Sequence, residues 1–365
     1  MKQMGVPVAK LRFPNPGSDI DRMAHVFALV AIASEGTDPF GLDFMTEVVI
    51  SEGQASSQGA QGAMALARSR RDDRSRDPLY NQLKMYSEIY RMLGWMRPTP
   101  ESRLTFETTL LGEALAFDTE GNRRLRFGII RESLIALTYP NMTTENIGVK
   151  SQRPFVWLLQ LAANLGGLIT RHEMILGLLA QVDDQKPRAL ANAVTQIEEL
   201  RQQPVSAAIE SAADFAAKEG VQLNSLENYT RFPVGVLSSA PIGWGAPIST
   251  RDLYRGSKAV KAIQLTQRGI ETAGQMEQKV FVRSEDLGLF SLEERADLAS
   301  LAYYVILKRA GFADPIVDEE LTRYSQQASV SLTRLGVSNP MELIFSPFTQ
   351  ETDEVLSLAQ ERYDS

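Results

Sequence analysis

Residues 153–173 read RPFVWLLQLAANLGGLITRHE and carry the strongest helical signals of the chain. Pro154 suits the first turn of a helix, and apolar residues follow at helical spacing as far as Leu165. Gly166-Gly167 then ends that helix, and Thr170 is a suitable N-cap for a second one. The stretch predicts two helices with the spacing of a helix-turn-helix motif. The alternative is two ordinary core helices joined by a Gly-Gly turn, which would have the same spacing.

The second helix is expected over Arg171 to Val182. Arg171 and His172 stand at its start, where a recognition helix presents side chains to base edges. The alternative for His172 is a surface or partly buried histidine without a special role. His25, within an apolar helical stretch, is expected to be a satisfied core residue.

A second group of elements lies upstream. Gly94 stops a helix, and a Pro-rich turn separates two short strands before another helix begins. This order of helix, strand, turn, strand and helix predicts the wing of a winged-helix domain. The elements are a helix over Tyr80–Leu93, strands at Trp95–Met96 and Arg103–Glu107, and a helix over Leu110–Phe117 capped by Thr108 or Thr109.

A similar order of residues, Leu-Thr followed by a glycine, occurs again further along the chain. Leu104-Thr105 followed by Gly112 is echoed by Leu265-Thr266 followed by Gly269. Such a string has low specificity, because many helix starts share a capping threonine and a glycine. From Asn224 to Thr250 the chain is rich in Asn, Ser, Pro and Gly, which predicts a domain junction or an exposed loop.

A chain of 365 residues has room for several cores. We expect a mainly α fold with short β wings, built from tandem winged-helix or helix-turn-helix modules. The expected segments are an N-terminal winged-helix module (1–145), a helix-turn-helix module (146–223), a second winged module (224–283) and an acidic helical C-terminal region (284–365). The capping signature that opens at Ser291 marks the first helix of this last region.

The net charge of −7 argues, taken whole, against nucleic-acid binding. That charge is unevenly distributed. Residues 284–365 contain fifteen Asp or Glu and six Lys or Arg, a net of −9, whereas the first 283 residues carry 32 basic and 30 acidic groups. The acidity is therefore a property of the C-terminal region, and the rest of the chain is mildly basic.

Three basic clusters lie in this front part, and most of their members are arginines, which suit phosphate oxygens and guanine edges. The alternative for each cluster is a solvated helical surface with salt bridges. The candidate DNA-binding residues are Arg70, Arg71, Arg74, Arg76, Arg123, Arg124, Arg171, His172, Arg255, Lys258 and Lys261.

The composition excludes several kinds of chemistry. Without cysteine there is no disulfide, thiolate metal site or cysteine nucleophile, and two histidines leave little for a histidine-rich metal site. The sequence contains no P-loop and no dinucleotide-binding glycine motif. We also expect no membrane association and a cytoplasmic location, because no apolar stretch is long enough to span a bilayer.

The run from about Arg74 to Arg201 resembles the DNA-recognition half of type IIS restriction and nicking endonucleases of the AlwI and MlyI kind. The motifs that carry the resemblance are Arg74–Tyr80 before a helix, Gly94-Trp95, Leu104-Thr105 with Gly112 and Leu115-Ala116, Phe127–Asn141, and Arg153–Glu173. The Leu265-Thr266 and Gly269 unit would match a further winged module. The resemblance implies winged-helix modules that read an asymmetric duplex site.

In that family a separate nuclease domain with an Asp…Glu-x-Lys site follows, and this chain departs from the pattern. No lysine occurs after Lys308, so the last 57 residues contain no Glu-x-Lys. Asp252, Glu277 and Lys279 are the weak catalytic candidates, with Glu277 to Lys279 expected on a short strand. Such a site would require Mg²⁺, and otherwise no cofactor is expected.

The sequence thus favours a protein that recognises double-stranded DNA in a restriction or antiviral defence system. It would act with a separate nuclease or effector bound through the acidic C-terminal helices. One alternative is a metal-dependent restriction or nicking endonuclease in its own right. Another is a winged-helix transcription regulator.

Overall fold

The computed structural model describes residues 12–15, 17, 19–34, 39–54, 56–57, 60–61, 63–68, 77–119, 121–139, 141, 152–181, 183–186, 188–256 and 259–362. Most of these residues are helical, and the strands form small sheets of two or three strands. The expected mainly α class with short strands is confirmed. No helix in these ranges is long and apolar enough to cross a membrane.

The helices are α1 (Ile20–Ala33), α2 (Leu42–Ser51), α3 (Ala63–Arg68), α4 (Pro78–Met92), α5 (Leu110–Glu113), α6 (Arg123–Ala136), α7 (Pro154–Asn164), α8 (Arg171–Met174), α9 (Ala189–Arg201), α10 (Val205–Lys218), α11 (Leu223–Tyr229), α12 (Arg231–Ser238), α13 (Gln267–Gln275), α14 (Leu292–Ala310), α15 (Pro315–Gln327), α16 (Ser329–Arg334), α17 (Pro347–Gln350) and α18 (Asp353–Glu361). Two π-helical turns, Ala114–Asp118 and Ile175–Leu179, continue α5 and α8.

The strands are β1 (Phe40–Gly41), β2 (Ser56–Ser57), β3 (Ala60–Gln61), β4 (Met96–Thr99), β5 (Ser102–Thr108), β6 (Leu168–Thr170), β7 (Gly245–Thr250), β8 (Val260–Leu265), β9 (Val280–Phe281) and β10 (Leu343–Ile344). Short 3-10 turns lie at Met276–Gln278, Leu287–Leu289 and Pro340–Glu342.

The chain forms two compact units. Unit I comprises residues 1–20 and 145–277, and unit II comprises residues 21–144 and 278–365. The segments expected at 146–223 and 224–283 together fall almost wholly within unit I. Those expected at 1–145 and 284–365 fall mostly in unit II. Local sequence patterns mark individual elements, whereas tertiary packing decides which distant segments share a core.

Each unit contains a three-stranded antiparallel sheet with the same strand order. The order is β1-β5-β4 in unit II and β6-β8-β7 in unit I. In both units the first strand stands between two helices along the chain, and the other two strands form a hairpin. The final strand therefore lies in the middle of each sheet, with Phe40 opposite Phe106 in one and Ile169 opposite Ile263 in the other.

The start of each hairpin is built from a glycine followed by a buried tryptophan. Gly94 has a φ of 73° and Gly243 a φ of 77°, a backbone conformation that favours glycine. Trp95 and Trp244 follow them and are fully buried. The two hairpins thus begin with the same turn in both units.

A threonine closes each hairpin against that turn. The hydroxyl of Thr109 donates to the carbonyl oxygen of Gly94, and that of Thr266 donates to the carbonyl oxygen of Gly243, both at 2.6 Å. Each threonine also accepts a bond from a backbone N–H in the first turn of the next helix and so caps it. The two units do share a threonine at the start of the helix that follows the hairpin, but Thr109 and not Thr105 is the counterpart of Thr266. Thr105 lies within β5.

The C-terminal helices are part of unit II. Helix α14 packs against α6, α15 and α18, and most of its apolar side chains are buried. The approach of α6 to α14 is close, because a Cβ atom at Gly128 would lie 2.1 Å from the carbonyl oxygen of Ala310. Both bonds of the expected capping box form between Ser291 and Glu294.

Two expectations were wrong. His25 is exposed, because the helical phase of α1 directs Met23, Val26 and Phe27 into the core instead. The stretch from Asn224 to Thr250 is neither a junction nor an exposed loop, since it forms α11, α12 and β7 around the buried Trp244. Its glycines and prolines serve tight packing and turns within unit I.

Candidate nucleic-acid interface

The hairpin loop of unit I comprises residues 251–259, which join β7 to β8 and are described except for 257 and 258. Arg251, Asp252 and Arg255 are exposed, whereas Leu253 and Tyr254 between them are buried. The loop therefore directs two arginines to solvent on either side of a buried pair.

Leu253 and Tyr254 hold the hairpin loop against the unit. They form a cluster with Ala208 of α10 and Ala262 of β8. The backbone N–H of Arg255 also donates to the carbonyl oxygen of Arg201, at the end of α9, at 3.1 Å. The loop is thus attached through both side chains and backbone.

Glu173 is the centre of a buried polar network below this loop. Its side chain is fully buried and accepts bonds from the Thr170 backbone N–H at 2.8 Å, from Arg201 Nε at 2.8 Å and from the Tyr254 hydroxyl at 2.9 Å. Arg201 Nη2 supplies a further bond at 3.1 Å. These charged hydrogen bonds offset the cost of burying the carboxylate.

Arg201 links several elements to this carboxylate. Its guanidinium donates to the carbonyl oxygens of Leu165 at 2.9 Å and Leu168 at 2.7 Å. Burial, together with the charge of Glu173, raises the pKa of Tyr254 well above its ordinary value. The tyrosine hydroxyl therefore keeps its proton and acts as a donor at neutral pH.

The expected second helix begins at Arg171, as predicted, but changes to a π-helical turn after Met174 and ends at Leu179. Arg171 is exposed. His172 is half-buried, and its Nε2 lies 3.2 Å from Oε1 of Glu227 in α11. The start of α8 therefore presents Arg171 to solvent, whereas His172 faces a carboxylate of the same unit.

The remaining candidates divide between the units. Lys261 is exposed in β8 of unit I, opposite Ser249 of β7. Arg123 and Arg124 are exposed at the start of α6 in unit II, and Arg123 pairs with Asp21 at 2.5 Å. Arg70, Arg71, Arg74, Arg76 and Lys258 lie outside the described residues.

The three catalytic candidates lie on different elements of the chain. Asp252 lies in the hairpin loop, and Glu277 is exposed in a 3-10 turn instead of on the expected strand. Lys279 belongs to unit II, where its Nζ donates to the carbonyl oxygen of Met341 at 2.9 Å. Within the described ranges, no group of three or more His, Cys, Asp or Glu residues could hold a metal ion.

Ion pairing differs between the units. In unit II many described cations form salt bridges, among them Arg97, Arg295 and Arg309. In unit I, Arg153 and Arg201 pair with carboxylates. The following cations of unit I form no salt bridge with any described residue: Arg171, Lys186, Arg188, Lys218, Arg231, Arg251, Arg255, Lys261 and Arg268. All nine of these cations are exposed.

Sequence reasoning identified Arg171 and Arg255 but missed the residues that support them. Thr170 and Glu173 have the Thr-x-x-Glu spacing of a capping box, which signals that Glu173 turns back toward the helix start. Both bonds of this capping box are present. No sequence signal indicates that Arg201 and Tyr254 reach the same carboxylate.

No protein-family model matches the sequence, and no curated protein matches it.

Proposed function

We propose that the chain binds double-stranded DNA sequence-specifically through two winged-helix modules, one in each unit. The observation that carries this proposal is the shared arrangement of a strand between two helices, a later hairpin and a final strand in the middle of the sheet. Winged-helix modules have this order of elements. The exposed cations of unit I that form no salt bridge with a described residue support the same partner, because phosphate contacts dominate DNA affinity.

The hairpin loop of unit I is the proposed wing. Arg251 and Arg255 are exposed there, and their guanidinium groups can bind phosphate oxygens or minor-groove edges. Asp252 between them reduces the local charge. These contacts would position the protein on the duplex and supply little sequence discrimination.

Two helices of unit I are candidates for contacting the bases. Helix α8 presents Arg171 at its start, and α12, which precedes the hairpin, begins with the exposed Arg231. In helix-turn-helix proteins the recognition helix reads bases with residues near its N-terminus. Selection from random duplexes by the Arg171→Ala and Arg231→Ala variants identifies which helix determines the preferred sequence.

Duplex binding by the full chain tests the proposal. Fluorescence anisotropy with a pool of random duplexes measures affinity at 50 and 200 mM salt. If six or more phosphates are neutralised, affinity falls by about 10³-fold or more over this range. An absence of binding, or an affinity insensitive to salt, would contradict the proposal.

Matched charge variants localise the interface. The Arg251→Ala, Arg255→Ala double variant is expected to bind more weakly and to lower the salt slope by about two. The control is Lys186→Ala with Lys218→Ala, which removes the same charge from unit I outside the hairpin loop. Equal loss in both variants would show a nonspecific charge effect.

Involvement in a restriction or defence system, with a separate nuclease or effector, rests on the resemblance alone. Several acidic residues of the C-terminal region are already paired within unit II, including Glu294 with Arg334, Glu351 with Arg295 and Asp318 with Lys308. A partner bound to the C-terminal region would therefore contact the acidic residues there that remain exposed. Co-purification with the products of neighbouring genes, followed by a plasmid cleavage assay, tests this association.

A further inference from the structure

We propose that Tyr254 is a positioning residue that attaches the hairpin loop of unit I to the start of α8, so that Arg171, Arg251 and Arg255 form one prearranged DNA-binding surface. This inference rests on the proposed DNA-binding function. It concerns the residues that hold the surface in place, and these residues do not themselves contact DNA.

The geometry places the loop and the helix start side by side. The Tyr254 hydroxyl lies 3.3 Å from the Thr170 hydroxyl and donates to Glu173. Thr170 is the N-cap that directly precedes Arg171, and Tyr254 directly precedes Arg255. One tyrosine side chain therefore spans from the loop that carries Arg255 to the turn that carries Arg171.

The support beneath this contact is a buried, hydrogen-bonded network. Glu173 is fully buried and receives donors from Thr170, Arg201 and Tyr254, while Arg201 also holds the carbonyl oxygens at the end of α7 and in β6. Buried charge pairs of this kind favour one arrangement over its alternatives, because a displaced partner leaves a charge unsatisfied. The network thus specifies the position of the loop as well as its attachment.

Fixing the loop before binding has a thermodynamic consequence. Long arginine side chains on a mobile loop lose conformational freedom when they bind phosphate, and this loss reduces affinity. A loop that is already held loses less. Tyr254 would therefore strengthen binding without adding a contact of its own to the DNA.

The Tyr254→Phe variant separates positioning from charge. It keeps the buried ring and all the arginines but removes the hydroxyl that donates to Glu173. We expect DNA affinity to fall about fivefold to tenfold, as one or two ordered side chains are released, while the salt slope stays that of the wild type. Arg255→Ala should instead lower the slope by about one.

Tyr229→Phe is the matched control, because Tyr229 lies in α11 of the same unit and forms no hydrogen bond with a described residue. It should bind DNA as the wild type does. Equal affinities for Tyr254→Phe and the wild type would overturn the inference while leaving DNA binding itself established.

Limited proteolysis tests the same inference without DNA. Trypsin cleavage after Arg255 in the folded full chain should be at least about fivefold faster in Tyr254→Phe than in Tyr229→Phe, since cleavage follows local opening of the loop. Unchanged cleavage would contradict the positioning role even if no duplex binds. Failure of the proposed function would appear separately, as absent DNA binding in the wild type.

Discussion

Gly269 lies directly against the carbonyl oxygen of Trp244, so that an added Cβ atom would be 2.1 Å from that oxygen. Gly112 has the same relationship to the carbonyl oxygen of Trp95, at 2.0 Å. In each unit, the helix that follows the hairpin can approach the buried tryptophan only because glycine occupies this position. The two sites are therefore equivalent solutions to the same packing problem.

Replacing Gly269 with alanine should destabilise the protein. The methyl group would displace α13 from the Trp244 backbone, and such overpacking typically costs about 1–3 kcal/mol. Chemical unfolding measures the change in the free energy of unfolding. Gly274→Ala in the same helix is the control, because nothing lies within 4 Å of its added Cβ and alanine favours a helix. A Gly269→Ala protein as stable as that control would refute the close-packing argument.

Arg97→Met tests the buried arginine of β4. The Arg97 guanidinium donates to the carbonyl oxygens of Phe348 at 3.3 Å and Glu351 at 3.1 Å, and it pairs with Asp353. Methionine would leave these buried acceptors without donors, so we expect a loss of about 2–4 kcal/mol in unfolding free energy.

The exposed arginine of α6 provides the comparison for Arg97. Arg123 pairs with Asp21 at the surface, and Arg123→Met should change the unfolding free energy by less than about 1 kcal/mol. If the two variants lost similar amounts of unfolding free energy, burial would not be the reason that the Arg97 contacts stabilise the protein.

Glu351 should make stability depend on pH. Burial raises its pKa, although Arg295, whose Nε lies 3.0 Å from the carboxylate, opposes this shift. The folded state therefore binds the proton more tightly than the unfolded state. The stabilisation of the folded state by the protonated Glu351 side chain is fully present below the ordinary pKa of 4.5. It is lost as pH rises through the raised pKa.

The Glu351→Gln variant isolates this contribution. The unfolding free energy of the wild type minus that of the variant should decline as pH rises from the ordinary pKa of 4.5 through the raised pKa, by about 1.4 kcal/mol for each unit by which the pKa is raised. Glu354→Gln, at an exposed site in α18, is the control. A difference that stays constant over this range would contradict the assignment.

DNA selectivity should distinguish two groups of arginines. Arg74→Ala with Arg76→Ala is expected to weaken binding to all duplexes alike and to lower the salt slope by about two, because phosphate contacts carry no direct sequence information. Arg171→Ala or His172→Ala should instead change the preferred sequence. Competition among duplexes selected by the wild type measures both effects. Unchanged affinity in the Arg74 and Arg76 double variant would identify that run as a solvated surface.

The sequence predicts local structure well where one residue determines it. Thr170, Ser291 and Gly94 act as the expected caps and stop, because capping depends on side chains within a few positions. The exposure of His25 and the burial of Trp244 depend instead on helical phase and on packing. The contact of Tyr254 with Glu173 joins residues 81 positions apart. No local pattern encodes such a contact, so the candidate surface was predicted only through its exposed arginines.

The division of the chain between its units also constrains the order of folding. Residues 145–277 are continuous, whereas the core of unit II needs α14 to α18, which follow them in the chain. During synthesis, residues 21–144 therefore emerge before the helices that cover their apolar side chains, and these side chains stay exposed to solvent until the C-terminal helices follow. Most of unit I is by then already available to fold. A truncation before Leu292 should consequently expose α6 and lead to aggregation of the chain on the ribosome or soon after release.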